Sequence, residues 1–232
     1  MDAGLSRKEI QARLAAIGED VEKLDAVLIT HEHSDHVCGV VSVTRNKKRN
    51  TPVFITRLTA GSIPWNDYTP SLDCFQAGTR FVVGDIDVQS FTTPHDAIDP
   101  VGFTFEAEGV KVGVVTDLGY VPESIKIHLR GVNLLLMESN HDLDMLKDGP
   151  YPWSVRQRIM GRKGHLSNEA TCRFIRQDLD TSISTLILGH LSEHTNHPAR
   201  VALEADRALN GRRLFTRLVV AEPRQQSEVF CY

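Results

Sequence analysis

The sequence lacks several features that would assign it at once to a class of protein. It has no apolar run of 18 residues, which excludes a membrane-spanning helix. Its first segment, MDAGLSRKEIQARL, has no apolar stretch of the kind that signal peptides carry. It has no G-x-S-x-G motif, and so offers no sign of a serine nucleophile of the α/β-hydrolase type. We therefore expect a cytoplasmic protein with no membrane partner.

Cysteine is scarce, and its spacing excludes two further classes. The four cysteines are far apart and form no C-x-x-C pair: Cys38, Cys74, Cys172 and Cys231. This spacing argues against a thiolate zinc site and against a disulfide framework. We expect reduced, mostly buried thiols. Cys38 lies two residues after His36, but its place in an apolar run favours core packing over metal binding.

Positive charge is not in excess, because 26 basic residues face 30 acidic ones and the net charge is −4. Binding to nucleic acid would therefore need a local basic patch. Residues 153–165, WSVRQRIMGRKGH, offer one, with Arg156, Arg158, Arg162 and Lys163 and no acidic residue. The patch could guide a nucleic-acid backbone, or it could be the solvated face of an amphipathic helix; the sequence supports both equally.

The length of 232 residues suits a single domain, 1–232. A helix is predicted for residues 6–17, where Ser6 and Glu9 form a capping box and Gly18 suits the C-terminal cap. Further helices are predicted from about Val37 to the basic cluster at 45–49, from near Ser167, and over 198–209. Residues 139–166 are polar and rich in Gly and Pro, which predicts irregular structure.

Short apolar or alternating runs predict strands throughout the chain. They mix with the helices, which indicates an α/β layered fold. The predicted strands lie at 24–30, 52–56, 80–85, 86–94, 132–139, 184–190 and 213–223, and residues 101–117 form a hairpin around Glu108-Gly109.

The stretch LITHEHSDHVCGV, residues 28–40, holds the strongest chemical signal. His31, His33, Asp35 and His36 fall within six positions, directly after a predicted buried strand. Imidazole and carboxylate are ligands that zinc, manganese and iron share. A turn at this place can direct several side chains at one point, which predicts a metal site.

Other potential ligands also follow predicted strands. His95, Asp117 and His190 each come directly after one. Together with the first motif they make five histidines and two aspartates. This set is too large for one tetrahedral zinc and suits two metals with a bridging carboxylate.

The H-x-H-x-D-H stretch with a later His, Asp and His resembles the metallo-β-lactamase fold. The stretches PHDAIDPVGF, VTDLGYV, ESNHDLDMLKDGPYPW and KGHLSNEA are similar to the YycJ/WalJ-like branch of bacterial nucleases. This resemblance implies an αββα sandwich, that is, two mixed β-sheets flanked by helices. Chains of this family usually begin with a hairpin, so the resemblance predicts that the N-terminal strands are missing here, and it implies that Asp2 helps to support the metal loop. Relatives also often carry Asn where this chain has Thr195.

The resemblance implies an assignment of the ligands. His31, His33 and His95 would hold one divalent ion, and Asp35, His36 and His190 the second. Asp117 would bridge the two ions, which would be Zn²⁺ or Mn²⁺. His194 and His197 compete for the last position, but we expect both to be surface residues.

Two metal ions of this kind can hold a shared hydroxide at neutral pH and neutralise charge on a phosphate. Asp35 can both bind a metal and orient the hydroxide. His165 stands just before the helix that Ser167 caps, where a phosphate could bind. The resemblance implies that His165 contacts that phosphate or protonates the leaving oxygen, with Glu138 and His141 orienting it.

Three functions remain open. The first is a two-metal phosphodiesterase on DNA rather than RNA, specifically an exonuclease working 5′ to 3′. Tyr151 or Trp153 could stack on a terminal base, although we expect these side chains to pack in the core. The second is a small-molecule hydrolase of the thioesterase or lactonase type, which the acidic net charge suits. The third is a truncated, inactive protein that binds metal or nucleic acid. The sequence leaves the oligomeric state undetermined.

Overall fold

The computed structural model describes residues 1–45 and 50–232. They form two compact units, the first comprising 1–92 and 97–101 and the second 93–96 and 102–232. That the chain is one domain stays a prediction. No helix in the described ranges is both long and apolar enough to cross a membrane.

The first unit holds a parallel sheet, a β-hairpin and short helices. The parallel sheet has the order β1-β2-β3, and β4 and β5 form the antiparallel hairpin. Its elements are α1 (Arg7–Ala16), a 3-10 turn (Val21–Lys23), β1 (Val27–Leu28), α2 (Ser34–Val37), α3 (Val40–Thr44), β2 (Val53–Thr56), α4 (Arg57–Ser62), β3 (Leu72–Phe75), β4 (Arg80–Val83) and β5 (Ile86–Thr92).

The second unit is built around a mixed sheet in the order β10-β9-β8-β7-β6. The pairs β7·β8, β8·β9 and β9·β10 are parallel, whereas β6·β7 is antiparallel. Its elements are β6 (Val101–Ala107), β7 (Val110–Val115), α5 (Glu123–His128), β8 (Leu134–Glu138), α6 (Leu143–Asp148), α7 (Trp153–Ile159), α8 (Asn168–Gln177), β9 (Thr185–Gly189), α9 (Pro198–Arg212) and β10 (Arg217–Val220).

Local sequence signals explain several of these elements. The Ser6 hydroxyl accepts a hydrogen bond from Glu9 N and starts α1, and Ser167 caps α8 in the same way. The hairpin β6-β7 turns at Glu108 and Gly109, which both have positive φ. Strand β9 is buried along its whole length, as its continuous apolar run predicts.

Other predictions of secondary structure are wrong. The helix expected from Val37 begins at Ser34 and is interrupted at Gly39, whose N–H donates to Ala3 O at 2.7 Å. The segment expected to be irregular contains α6 and α7. Helix α6 is capped by Asp142, whose carboxylate accepts from Met145 N at 2.8 Å. The predicted end of the Val37 helix, at 45–49, falls largely on residues outside the described ranges.

The expectation of mostly buried thiols is also wrong. Only Cys172 is buried, and Cys38, Cys74 and Cys231 are exposed. Cys38 is therefore not a core residue, and its thiol donates to Gly4 O at 3.1 Å. Strand β1 ends at Leu28, so the residues that follow it form the loop that carries the histidine motif rather than a longer strand.

Candidate metal centre

The predicted ligands occupy the ends of strands, as the sequence indicates. His31 follows β1 by three residues, and His95 follows β5 by three residues. Asp117 lies just beyond β7, and His190 directly follows β9. Glu138 is the last residue of β8. Strands β7, β8 and β9 are parallel neighbours, so Asp117, Glu138 and His190 meet at one edge of the sheet.

In the first unit, three imidazoles of the H-x-H-x-D-H motif face one another. Nε2 of His31 lies 3.0 Å from Nδ1 of His33. The ring centroid of His31 is 4.6 Å from that of His33 and 4.1 Å from that of His36. His31 and His36 are buried, whereas Asp35 is exposed. Such a group of ring nitrogens is a donor set that suits a divalent metal.

Asp2 organises this loop. One of its carboxylate oxygens lies 2.9 Å from Nδ1 of His36 and accepts from the Thr30 hydroxyl at 3.0 Å, and the other accepts from Thr30 N at 2.8 Å. Gly4 allows the chain to approach closely, because a Cβ there would lie 1.5 Å from Asp35 O. Residues at the start of the chain therefore fix both the imidazole and the backbone of the motif.

In the second unit, Asp117 lies among three histidines. Its Oδ1 is 3.7 Å from Nε2 of His95, 3.6 Å from Nε2 of His190 and 3.8 Å from Nδ1 of His165. Asp117 and His190 both adopt the left-handed backbone region, with φ of 59° and 57°. Non-glycine residues rarely adopt this region, and such outliers are concentrated at functional sites.

Glu138 is the buried centre of a hydrogen-bond network. Its Oε1 lies 2.7 Å from Nδ1 of both His165 and His190. Its Oε2 accepts from Leu118 N at 3.2 Å and from Leu166 N at 3.0 Å. Because a carboxylate only accepts, Nδ1 of each imidazole carries the proton that it shares with Glu138. Nε2 of each ring is thereby left for other chemistry.

The electrostatics of the network favour a charged Glu138. Burial raises the pKa of this carboxyl, but the hydrogen bonds and positive charge of His165 and His190 outweigh burial and hold the pKa below its usual range. For His165, burial lowers the pKa, while the Glu138 carboxylate and Asp117 raise it, and the net shift is upward. His165 therefore holds a proton more readily than an ordinary histidine.

His95 is oriented differently. Its Nδ1 lies 3.1 Å from Gly164 O, and a carbonyl can only accept, so Nδ1 carries the hydrogen and Nε2 is directed toward Asp117. Burial lowers the pKa of His95 and outweighs Asp117, which raises it. A neutral imidazole whose Nε2 carries no proton is the form that binds a metal.

His141 does not take part in this network by hydrogen bonding. Its ring is buried, and neither ring nitrogen has a hydrogen-bond partner within the described part of the chain. Burial lowers the pKa of His141 to about 4. Its backbone O accepts from Asn168 N at 2.9 Å, so His141 connects the chain after β8 to the start of α8. Glu138 is the residue that hydrogen-bonds His165.

Side-chain amides that the sequence did not single out hold the ligand loops together. Asn140 Nδ2 donates to His190 O at 2.8 Å. Asn196 Nδ2 donates to Ser139 O at 2.8 Å and to Asn140 O at 2.9 Å. Asn168 pairs with Asn196 through its own amide at 2.9 Å. No sequence motif marks such a network, because its members become neighbours only when β8, β9 and α8 are assembled.

The predicted phosphate site at the start of α8 is partly occupied by internal hydrogen bonds. The Ser167 hydroxyl accepts from Ala170 N at 3.2 Å, and Asn168 N donates to His141 O. Ser167 therefore acts as a helix cap in this structure.

The four basic residues of the 153–165 patch fall into two pairs. Arg156 donates to the backbone carbonyls of Tyr151 and Lys147, and Arg158 forms an ion pair with Asp96. Arg162 and Lys163 are exposed, and within residues 1–45 and 50–232 neither has a carboxylate partner. Of these four residues, only Arg162 and Lys163 are both exposed and without a carboxylate partner in the described ranges.

Helix α7 has no buried residue. Trp153 is 62% exposed, so the expected core packing of this side chain is wrong. Tyr151 is half-buried, and its ring lies 6.1 Å from that of His194. His194 and His197 are both exposed, which agrees with the prediction that they are surface residues.

The donor sets of each unit fit divalent metal ions. In the second unit, one ligand atom from each of Asp117, Glu138, His165 and His190 lies within 4.8 Å of the others. In the first unit, three imidazoles face one another around His31. Imidazole and carboxylate together suit zinc, manganese or iron.

Comparison with known proteins agrees with this chemistry. A family described as "Beta-lactamase superfamily domain" matches residues 1–191. Exodeoxyribonuclease WalJ of Streptococcus pneumoniae is 36% identical over 201 residues, covering 84% of this chain and 74% of that protein. Exodeoxyribonuclease YycJ of Bacillus anthracis is 34% identical over 203 residues, covering 84% and 75%.

Among solved structures, the metallo-β-lactamase fold protein YhfI of Bacillus subtilis matches with a TM-score of 0.67 at 18% identity, covering 87% of this chain and 77% of that one. At this identity the match concerns the fold alone. It confirms the predicted α/β architecture of mixed sheets flanked by helices.

Proposed function

The chain belongs to the beta-lactamase superfamily and, within it, to the WalJ/YycJ exodeoxyribonuclease family, and we propose from this premise that it is a two-metal phosphodiesterase that degrades DNA from the 5′ end. It is a metal-dependent hydrolase, and the fold implies divalent metal ions. One observation carries the choice of substrate: 36% identity to an exodeoxyribonuclease over 84% of the chain.

The proposed ligand set follows the predicted one. His31, His33 and His95 would hold one divalent ion, Zn²⁺ or Mn²⁺, and Asp35, His36 and His190 would hold the other. Asp117 would be the ligand shared by the two ions. The support from this structure is local: the histidines of the first motif cluster, and Asp117 lies among the histidines of the second unit.

When bound, two such ions supply a hydroxide nucleophile at neutral pH and neutralise charge on the phosphate. The protein supplies orientation. Glu138 fixes the ring of His190, Gly164 O fixes the ring of His95, and Asp2 fixes the ring of His36. Held imidazoles of this kind keep the tautomer that a metal ligand needs. Asp35 orients the attacking water.

His165 is the proposed proton donor to the leaving oxygen. Its Nδ1 proton is shared with Glu138, so the proton that it transfers lies on Nε2. Burial lowers the pKa of His165, but Glu138 and Asp117 raise it by more, so the net shift is upward and the ring is protonated more readily than an ordinary histidine. The leaving oxygen of a phosphodiester takes up such a proton as its bond to phosphorus breaks.

The test uses the purified chain with Mn²⁺ and duplex DNA labelled at either the 5′ or the 3′ end. We expect immediate release of a 5′-labelled mononucleotide and slow shortening of the 3′-labelled strand. Asp35→Ala is the inactive variant, and His194→Ala is its matched control, because His194 is exposed and outside the proposed ligand set. A matching RNA duplex tests the preference for DNA.

Two outcomes would contradict the proposal. Unchanged cleavage by Asp35→Ala would remove the two-metal mechanism assigned here. Turnover of a thioester or lactone by a chain that leaves DNA intact would identify a small-molecule hydrolase instead.

A further inference from the structure

An arginine lies over an aromatic ring close in sequence to the proposed metal ligand Asp117 and the proposed proton donor His165. The guanidinium of Arg162 lies over the ring of Tyr120, 4.3 Å from its centroid. Tyr120 is 36% exposed and Arg162 is exposed. Arg162 is three residues before His165, and Tyr120 is three residues after Asp117. The two residues are called here the Tyr120–Arg162 platform.

The platform is fixed to the catalytic residues by backbone contacts. A Cβ on Gly119 would lie 2.4 Å from Gly161 O and 2.5 Å from the carbonyl carbon of Arg162, so only glycine allows the two loops to approach so closely. Gly119 N also donates to Pro94 O at 3.0 Å. The loops that carry Asp117 and His165 are therefore in direct contact, and the platform sits at that contact.

Arg162 differs from the other arginines of the patch because it is exposed and has no carboxylate partner in the described ranges. Arg158 forms an ion pair with Asp96. Arg156 donates hydrogen bonds to the backbone carbonyls of Lys147, in α6, and of Tyr151. No carboxylate in the described ranges pairs with Arg162 or with the adjacent Lys163. Net positive charge that is exposed beside His165 therefore comes from Arg162 and Lys163.

We propose that the Tyr120–Arg162 platform stacks on a nucleobase of the bound strand next to the cleaved phosphodiester, and that Lys163 contacts a neighbouring phosphate. The guanidinium of Arg162 lies over the ring of Tyr120 and is exposed, so it can offer a planar, positively charged surface to a ligand. Bases stack on such surfaces with little preference for sequence, because every base has a π face. The inference rests on the proposed nuclease function and names its substrate contacts.

The first experiment measures binding of a short fluorescent single-stranded oligonucleotide in excess chelator, and KM and kcat with Mn²⁺. Arg162→Ala and Tyr120→Ala should raise Kd and KM roughly 5- to 150-fold, the range for losing one stacked base. Tyr120→Phe keeps the ring and should bind like the unaltered chain. Arg162→Lys keeps the positive charge but loses the planar guanidinium, and its affinity should lie between that of the unaltered chain and that of Arg162→Ala.

A second experiment separates stacking from simple charge attraction. An oligonucleotide with one abasic position, moved step by step from the 5′ end, should lose affinity at one position only. At that position Tyr120→Ala should add no further loss, because the base that would stack on the platform is already absent. Lys163→Ala should instead weaken binding to all oligonucleotides alike and lower the salt slope by about 1.

The control is Arg207→Ala, which removes an exposed arginine from α9 and should leave Kd and KM unchanged. Thermal unfolding of each variant shows that it is folded. If the unaltered chain cleaves DNA and Tyr120→Ala and Arg162→Ala cleave it with the same KM, the platform is not a substrate contact. If the unaltered chain neither binds nor cleaves DNA, the proposed function fails and this inference fails with it.

Discussion

Oε1 of Glu138 lies 2.7 Å from Nδ1 of His190, and the same oxygen lies 2.7 Å from Nδ1 of His165. His190 is a proposed metal ligand and His165 the proposed proton donor. A single buried carboxylate oxygen therefore orients two imidazoles that have different tasks. The backbone N–H groups of Leu118 and Leu166 hold the other oxygen, so the carboxylate cannot rotate without breaking these contacts.

Replacing this carboxylate should affect both tasks. Glu138→Gln keeps the shape of the side chain but removes the negative charge that accepts hydrogen bonds from both Nδ1–H groups. The new amide NH₂ is itself a donor and would face other donors. We expect a loss of about 1–3 kcal/mol in the free energy of unfolding and a fall of roughly 10- to 100-fold in metal affinity or kcat. Urea unfolding and metal content after dialysis measure the two effects.

The matched control is Glu106→Gln, which removes an exposed carboxylate from β6. It should leave stability and metal content unchanged. If Glu138→Gln retains full metal content and full kcat, Glu138 does not orient either imidazole.

Asn140 should act on His190 through the backbone. Its amide donates to His190 O, and His190 has the unfavourable φ of 57°. Asn140→Ala removes the hydrogen bond that helps to hold this conformation, so we expect lower metal affinity and lower kcat with little change in KM. Titration of the metal-depleted protein with the metal ion is the direct measurement, because it does not depend on turnover.

Asn210→Ala is the control for that variant, since Asn210 lies exposed on α9 and its side-chain amide donates to Asp206 within the same helix. An Asn140→Ala protein that binds metal as tightly as Asn210→Ala would show that the amide network is structural and nothing more.

Metal binding should stabilise the fold, because the ligands converge only in the folded chain. A divalent ion at 100 times its Kd stabilises by about 2.7 kcal/mol, which for a protein of this size raises the unfolding temperature by about 5–10 °C. His190→Ala should lose much of this shift, and His194→Ala should keep it. Equal shifts in the two variants would show that His190 is not a ligand.

Asp180 gives a pH dependence that is separate from the metal residues. Its carboxylate accepts from Ser182 N at 2.9 Å, and this backbone hydrogen bond, against an opposing effect of burial, lowers the pKa of Asp180. A lowered carboxyl pKa stabilises the fold above the unfolded value, near 3.9, and this contribution is lost as the pH falls through the folded value.

Asp180→Asn should therefore be less stable than the unaltered chain at pH 6–7, and the difference should shrink below about pH 4. Urea unfolding at several pH values measures it. Asp144→Asn, an exposed change on α6, is the control. A difference that stays constant from pH 7 to pH 3 would show that the charge of Asp180 contributes no stability.

The sequence was most informative where the signal is local. The capping serines of α1 and α8, the Glu108-Gly109 hairpin and the buried strand β9 depend on residues that are neighbours along the chain. It was least informative between 139 and 166, where Gly and Pro suggested irregular structure. There Asp142 caps α6, and Pro152 precedes α7 without breaking it, because both begin rather than interrupt a helix.

By itself the sequence determined the residue types of the candidate site and their places after strands. The H-x-H-x-D-H spacing, and a His or Asp after each of three further strands, are properties of the chain as written. The places after strands matter because neighbouring parallel strands end at one edge of a sheet.

Only the tertiary structure decided which side chains meet. Glu138 contacts His165 and His190, which are 27 and 52 residues away along the chain. In the folded chain, Asp96 forms an ion pair with Arg158, and the guanidinium of Arg162 lies over the ring of Tyr120. Contacts at such separations depend on how strands pair and helices pack. Local propensity does not encode that geometry, and so the partner of each charged group had to be seen in the folded chain.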